Sequence, residues 1–345
     1  IYQLFRGRGA GMTIVLNILG LCAGLVALYL GGTWLIKGSL GLAHRLNISK
    51  LVIGLTVVAF GTSAPELFVS VISVLTGKDA ISIGNVIGSN IVNIALILGI
   101  SVLTIPVHVT RSLNRFDMPV LFTGYGLLFL FALRLGSGNG FSFGIVSRIE
   151  GIVLFAFILF YIIYLYTKAS KESVKTLEQI DLDVIEKTTS SNQSLVILSL
   201  TAITGAAVLT GGSELLIRTA SWLASHVLSV SERFIGVTIV AFGTSIPELA
   251  TNIVAIARRE ADVSIGNIIG SNIFNTLSVI GIASIIKPIS LIGASFQYDF
   301  FIMIGITALL YVFMLSVKRL YRITGIFLLL SYGGYFAFLM MTKSM

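Results

Sequence analysis

The chain is 345 residues long, yet it has one cysteine, five prolines, three histidines and two tryptophans, and only 11% of it is charged. The lone Cys22 excludes an internal disulfide, and the large Leu21 before it argues against a lipoprotein cleavage site. His44, His108 and His226 fall at loops or segment ends and share no metal-ligand spacing, which removes the usual zinc and copper centres. There is no phosphate-binding glycine loop, no HExxH and no paired intramembrane aspartate of the protease kind, so the chain reads as a non-enzyme without a cofactor. The scarcity of charge is the most telling shortage. A soluble domain carries about 25% charged residues, whereas residues 80–106 hold none in 27 positions and residues 151–167 none in 17. A bilayer core of about 30 Å needs about 20 apolar residues to cross it. The chain is therefore an all-α polytopic membrane protein whose partner is the lipid bilayer. Its net charge of +8 is assigned to basic loops that set topology, not to nucleic acid.

Ten transmembrane helices fit the apolar runs, at 14–36, 51–75, 81–105, 118–133, 149–166, 195–217, 234–257, 263–286, 296–317 and 323–341. The long polar stretch 168–194 holds four Lys and five acids without an apolar period, so it reads as a flexible linker. It separates a first five-helix unit, 12–167, from a second, 195–345. An odd number of spans per unit makes the second enter from the opposite face, so the repeats are expected to be inverted. Residues 1–11 are polar and basic, and Met12 reads as a natural start after an upstream leader. A secretory signal over 13–30 fits less well, since no small-x-small site follows. With the N-terminus outside, 14 of the 23 Lys and Arg fall on inner segments, which places the linker in the cytoplasm.

Residues 54–99 recur at 236–281, 182 positions later and without a gap, with 22 identities in 46 positions. The matches include Gly, Thr, Ser, Asn, Pro and one Glu, residues that hydrophobicity alone would not align. In the first copy Thr62, Ser63 and Glu66 fall on one helical face by spacing. Pro65 has no N–H, so the helix is expected to break and free a backbone carbonyl near Gly61. The second copy supplies Thr244, Ser245, Pro247 and Glu248. A mid-span carboxylate costs roughly 2.5–3.5 kcal/mol on insertion scales. Hydroxyls, carbonyls and a carboxylate beside a broken helix suit hard cations such as Na⁺ and Ca²⁺. A proline-kinked span with self-satisfied polar groups is the simpler account of one copy, but it explains two matched buried acids poorly. The next span adds Asn85, Ser89 and Asn93, and its copy Asn267, Ser271 and Asn275. Ser89, Asn93, Ser271 and Asn275 are expected to complete an oxygen shell. The Gly84/Gly88 and Gly266/Gly270 pairs are read as packing positions. Glu214 has no acidic counterpart, since Trp34 takes the matching place, and it is not expected to be a ligand.

At GTSAPE (61–66), GTSIPE (243–248) and the two GSNIxN segments (88–93 and 270–275), the chain resembles the sodium/calcium exchanger family of the cation/calcium antiporters, of prokaryotic type. The resemblance implies ten helices in two inverted repeats around a diamond of broken second, third, seventh and eighth helices. It implies that Ca²⁺ and Na⁺ meet Glu66, Glu248, Thr62, Thr244, Ser63, Ser245, Ser89, Ser271, Asn93 and Asn275, with the backbone carbonyls of Ala59 and Ala241. It further implies alternating access by sliding of the first and sixth helices, exchange of several Na⁺ for one Ca²⁺, and residence in a prokaryotic inner membrane. Some members carry Asp where this chain has Asn275, and potassium-dependent members often carry an extra acid in the second half. Both are absent here, which weighs against K⁺ coupling, and the motif around the Glu weighs against H⁺ coupling. A channel with the same ligands is the rival from another class, disfavoured because channels usually build their filter from several subunits.

Overall fold

The computed structural model describes residues 2–46, 48–135, 141–176, 194–226, 241–291 and 294–342. Long apolar runs have no water to satisfy their backbone in a bilayer, so they close their own hydrogen bonds as helices. The helices are α1 Tyr2–Arg45, α2 Lys50–Thr62, α3 Ala64–Leu75, α4 Asp79–Thr104, α5 Leu113–Ala132, α6 Arg148–Thr176, α7 Leu195–His226, α8 Ile246–Ala257, α9 Ala261–Ile286, α10 Ala294–Ser316 and α11 Arg322–Thr342. Among the described residues eight are long and apolar enough to span a membrane, and the bent pair α2–α3 makes nine. The shorter α8 is the end of the expected 234–257 span, whose first residues, 234–240, lie outside the described residues.

The molecule is not purely helical. Six short strands, β1 Val107–His108, β2 Leu133–Leu135, β3 Phe141–Phe143, β4 Ile145–Val146, β5 Ile289–Ser290 and β6 Arg319–Leu320, form three antiparallel pairs, β1–β6, β2–β3 and β4–β5. This corrects the all-α expectation. Pro106 and Pro288 disfavour helix in the residues before them, and the extended chain that follows pairs its backbone groups across to another loop. β1 and β5 are themselves 182 residues apart, and each pairs with a strand of the opposite half, Val107 with Leu320 and Val146 with Ile289.

Burial is graded. In α9 and α4, 89% and 78% of the apolar stretch is buried, against 17–39% in the other long helices, so these two form the centre. α1 and α7 lie against each other at backbone contact. A methyl added at Gly205 would stand 2.3 Å from the Leu35 nitrogen, so only glycine permits that approach. α3 and α8 end in matching turns. Lys78 N–H reaches the Ser73 carbonyl at 2.7 Å and Glu260 N–H the Ala255 carbonyl at 2.8 Å, with Gly77 at φ 74° and Arg259 at φ 60°. Beside the second turn, Lys50 at the start of α2 forms an ion pair with Glu260 at 2.8 Å.

Candidate ion-binding site

The two GTSxPE segments break their helices at the same serine. Ser63 stands at φ −82°, ψ 6° and Ser245 at φ −86°, ψ 4°, values outside the α-helical well. Pro65 and Pro247 follow in the first turns of α3 and α8, where a missing N–H costs nothing. The axis turns by 45° between α2 and α3. The helix resumes at once, with Leu67 N–H on the Ser63 carbonyl and Leu249 N–H on the Ser245 carbonyl. Each Glu therefore sits in the first turn of a new helix, where backbone N–H groups favour negative charge.

Both carboxylates are fully buried, as are Thr62, Ser63, Ser89, Asn93, Thr244, Ser245, Ser271 and Asn275. Ser89 donates to Glu66 Oε1 at 3.2 Å and Ser271 to Glu248 Oε1 at 3.4 Å. The threonines act between the halves. Thr62 donates to Asn267 Oδ1 at 3.2 Å and lies 3.3 Å from the Ser271 hydroxyl. Thr244 donates to Asn85 Oδ1 at 3.1 Å and lies 3.4 Å from the Ser89 hydroxyl. Ser63 also crosses over, donating to Glu248 Oε1 at 3.1 Å. Ser63 and Glu66 do not act as same-face neighbours on one continuous helix, as their spacing suggested. The break at Ser63 turns its hydroxyl toward the acid of the opposite half.

The remaining oxygens have no protein partner. Glu66 Oε2, Glu248 Oε2, Asn93 Oδ1 and Asn275 Oδ1 are buried without a hydrogen bond. Among the described residues no Lys, Arg or His makes an ion pair with either glutamate; the pairs found are Lys50–Glu260 and Arg218–Glu214. Glu214 is exposed and paired with Arg218. Two ionised carboxylates without a basic partner are costly in so dry a place. A desolvated cation is the species that would relieve them, and the surrounding oxygens are hard and mostly neutral, as such a cation needs.

The Ala59 carbonyl already accepts from Ser63 N–H at 3.0 Å, with the Thr62 hydroxyl 3.3 Å away as a rival to its bond with Asn267, so an ion would compete with these donors for it. Ala241 opens the short helical turn Ala241–Gly243, and Ser213 of α7 donates to the Gly243 carbonyl at 2.9 Å. Three further residues, Asn90, Asn272 and Thr276, belong to the same buried centre and were not singled out from sequence. The signal for two of them was present, because Asn90 and Asn272 are identical in the two copies. π-Helical turns begin just beyond them, at Val92–Leu98 and Asn275–Val279, a distortion that often marks functional positions.

A family model described as sodium/calcium exchanger protein matches residues 16–169 and 197–341. The chain belongs to that family. Its family is one of exchangers, transport proteins and not enzymes. The chain is 36% identical to CaxA of Alkalimonas amylolytica over 317 residues, 90% of this chain and 95% of that one. It is 28% identical to the sodium/calcium exchanger MaX1 of Methanosarcina acetivorans, over 93% of this chain and 98% of MaX1. Its fold matches the sodium-calcium exchanger NCX_Mj, in a structure obtained at zero Na⁺ and Ca²⁺, with a TM-score of 0.76 and 29% identity, over 94% of this chain and 99% of that one.

Proposed function

We propose that this chain is a secondary antiporter that exchanges Na⁺ for Ca²⁺ by alternating access. Its ion shell is Glu66, Glu248, Thr62, Thr244, Ser63, Ser245, Ser89, Ser271, Asn93 and Asn275, with the carbonyls of Ala59 and Ala241. The observation that carries this reading is the pair of fully buried carboxylates without a basic partner, each with one oxygen unbonded. Together they supply a charge of about −2 when ionised, enough to neutralise one Ca²⁺, and the hydroxyl and amide oxygens complete a shell of the 6–8 ligands that Ca²⁺ takes. The same oxygens divide into two half-sites for Na⁺. More than two Na⁺ per Ca²⁺ would give the loaded states different charges. Carrying that difference across the membrane is worth about 2.3 kcal/mol per charge per 100 mV, so exchange is electrogenic.

The two copies belong to inverted five-helix units, 12–167 and 195–345, joined by a cytoplasmic linker at 168–194, with the N-terminus outside a prokaryotic inner membrane. The pairwise equivalence of Ser89–Glu66 with Ser271–Glu248, and of Thr62–Asn267 with Thr244–Asn85, supports this two-fold plan. The test is uptake of radioactive calcium into liposomes holding the purified protein, driven in turn by outward Na⁺, K⁺ and H⁺ gradients under a valinomycin-clamped potential. Uptake should follow the Na⁺ gradient and speed up when the interior is positive. Uptake that follows K⁺ or H⁺ instead would reassign the coupling ion, and flux without any counter-ion would identify a channel.

A further inference from the structure

An asparagine side chain has two ends of similar size, and its neighbours decide which end is the oxygen. Around Asn93 and Asn275 those neighbours can be traced back to backbone carbonyls, whose role as acceptors is fixed. The Asn272 side chain lies 3.1 Å from the backbone oxygen of Asn90, so the atom placed there is its NH₂ group. Its Oδ1 therefore faces the other way, 3.0 Å from the Asn93 amide, which must answer with its own NH₂. That leaves Asn93 Oδ1 turned away, buried and unbonded.

A second path fixes Asn275. The Thr276 hydroxyl donates to the Asn272 backbone oxygen at 2.8 Å, which uses its only proton. It can then only accept from Asn90, 3.0 Å away, so Asn90 presents NH₂ to it, with the Met303 sulfur at 3.6 Å as a second, weak acceptor. Asn90 Oδ1 must face Asn275, whose NH₂ donates to it at 3.2 Å. Asn275 Oδ1 is in turn left bare and buried. Both paths end on an asparagine oxygen without a partner, and both cross between the halves.

We propose that Asn272, and Asn90 together with Thr276, are positioning residues that lock the Asn93 and Asn275 amides so that only their oxygens can face the transported ion. The lock rests on the reading of Asn93 and Asn275 as ion ligands. Its chemical purpose is discrimination. A free amide can turn its NH₂ toward the site and repel a cation, whereas a locked one offers only a carbonyl oxygen, as Ca²⁺ and Na⁺ require.

The test is a pair of mutant cycles in proteoliposomes, reading the half-saturating Ca²⁺ concentration and the maximal rate of Na⁺-driven uptake. Thr276→Val keeps the shape and removes the hydroxyl, and it should raise half-saturating Ca²⁺ about tenfold with little change in maximal rate. Thr276→Ser, which keeps the relay, should stay within about twofold. In an Asn275→Ala background the Thr276→Val shift should shrink to less than about twofold, because no amide is left to orient. Asn272→Leu should behave likewise with and without Asn93→Ala. Where a variant no longer transports, stabilisation of the purified protein by Ca²⁺ gives the same comparison. Equal shifts in both backgrounds, or a loss of maximal rate alone, would overturn the lock. Unchanged half-saturation in Asn93→Ala and Asn275→Ala would instead sink the ligand assignment beneath it.

Discussion

Glu66 and Glu248 stand in two copies of one motif, yet the groups that hold them are not copies. Behind Glu66, Asn85 donates both to the Glu66 backbone oxygen at 3.2 Å and to the Ser70 hydroxyl at 3.1 Å. Behind Glu248, the counterpart of Ser70 is Asn252, which takes the Glu248 backbone oxygen itself at 2.9 Å and accepts from Ser264. Asn267, the counterpart of Asn85, is displaced from that task, and its NH₂ is buried without a partner. Thr276 likewise has Ile94 as its counterpart, so one amide path runs through a hydroxyl and the other does not. The residue types facing the site are the same in both halves, although Ser63 bonds Glu248 while Ser245 Oγ is left without a hydrogen bond, and the scaffold behind them has diverged further. The shared face is the part that two half-sites for one ion would require.

The strongest way to break that equivalence is to discharge one acid at a time. Glu66→Gln and Glu248→Gln should each reduce calcium uptake by more than about 100-fold while leaving the protein folded, because an amide offers an oxygen without the charge that Ca²⁺ needs. Uptake near wild type in both would remove the carboxylates from the site. If only one variant were silent, the halves would differ in function as well as in scaffold.

The proposed inversion makes a second, all-or-none comparison. Lys78 and Glu260 occupy the same position in the two copies, 182 residues apart, yet the proposed inversion would put them on opposite faces of the membrane. With Cys22 replaced, a cysteine at Lys78 should react with an impermeant maleimide only from outside, and one at Glu260 or within 168–194 only from the cytoplasm. Labelling of both positions from one face would refute inversion. Exchange of the two faces would reverse the orientation and leave inversion standing.

A third comparison concerns glycines that are equivalent in sequence. Methyl groups added at Gly266 and Gly270 of α9 would stand 2.7 Å from the Leu51 carbonyl and from Leu55 Cα, so α9 lies directly on α2. At Gly84 and Gly88 of α4, no described atom lies within 4 Å, and the residues equivalent to α2 fall largely in 227–240, outside the described residues. Gly270→Ala should destabilise the purified protein by about 1–3 kcal/mol, the usual cost of overpacking. Under the two-fold plan Gly88→Ala, the equivalent substitution in the first copy, should cost about as much. Thermal unfolding in detergent measures both. Equal costs would support the two-fold plan, and a clearly smaller cost at Gly88 would count against it.

Apolar run length was enough to find eight of the expected spans and the bent pair α2–α3 among the described residues, because a bilayer imposes both their length and their internal hydrogen bonding. Pro65 and Pro247 announced the breaks, and the repetition of Glu at a fixed spacing pointed to the two buried carboxylates beside them. What spacing could not give was connection across the halves. Helical periodicity relates Ser63 to Glu66, but the turn at Ser63 aims its hydroxyl at Glu248, 185 residues away. The strand pairs were hidden for a related reason. β1–β6 and β4–β5 each need two-residue partners from distant loops, and even the local pair β2–β3 is only three residues long, all too short to show any period. Asn90 and Asn272 were visible as identities, but the role proposed for them depends on which end of each amide meets a carbonyl, which spacing does not give.

The smallest expected effect is also the sharpest test of divergence behind the site. Asn252→Ser would give the second half the residue that the first half has at Ser70. The Glu248 backbone oxygen would lose Asn252, but Asn267, the counterpart of the Asn85 that serves Glu66, has an unused NH₂ group. Asn267 should take over, recreating the first-half pattern, so stability and half-saturating Ca²⁺ should change by less than about 1 kcal/mol equivalent. Asn252→Leu offers no hydroxyl and fills the space, leaving Ser264 without its acceptor, and should cost about 1–3 kcal/mol. Thermal unfolding and calcium titration of the two variants side by side separate the cases. If the serine costs as much as the leucine, Asn267 cannot substitute for Asn252, and the second-half scaffold is a distinct solution and not a displaced copy of the first.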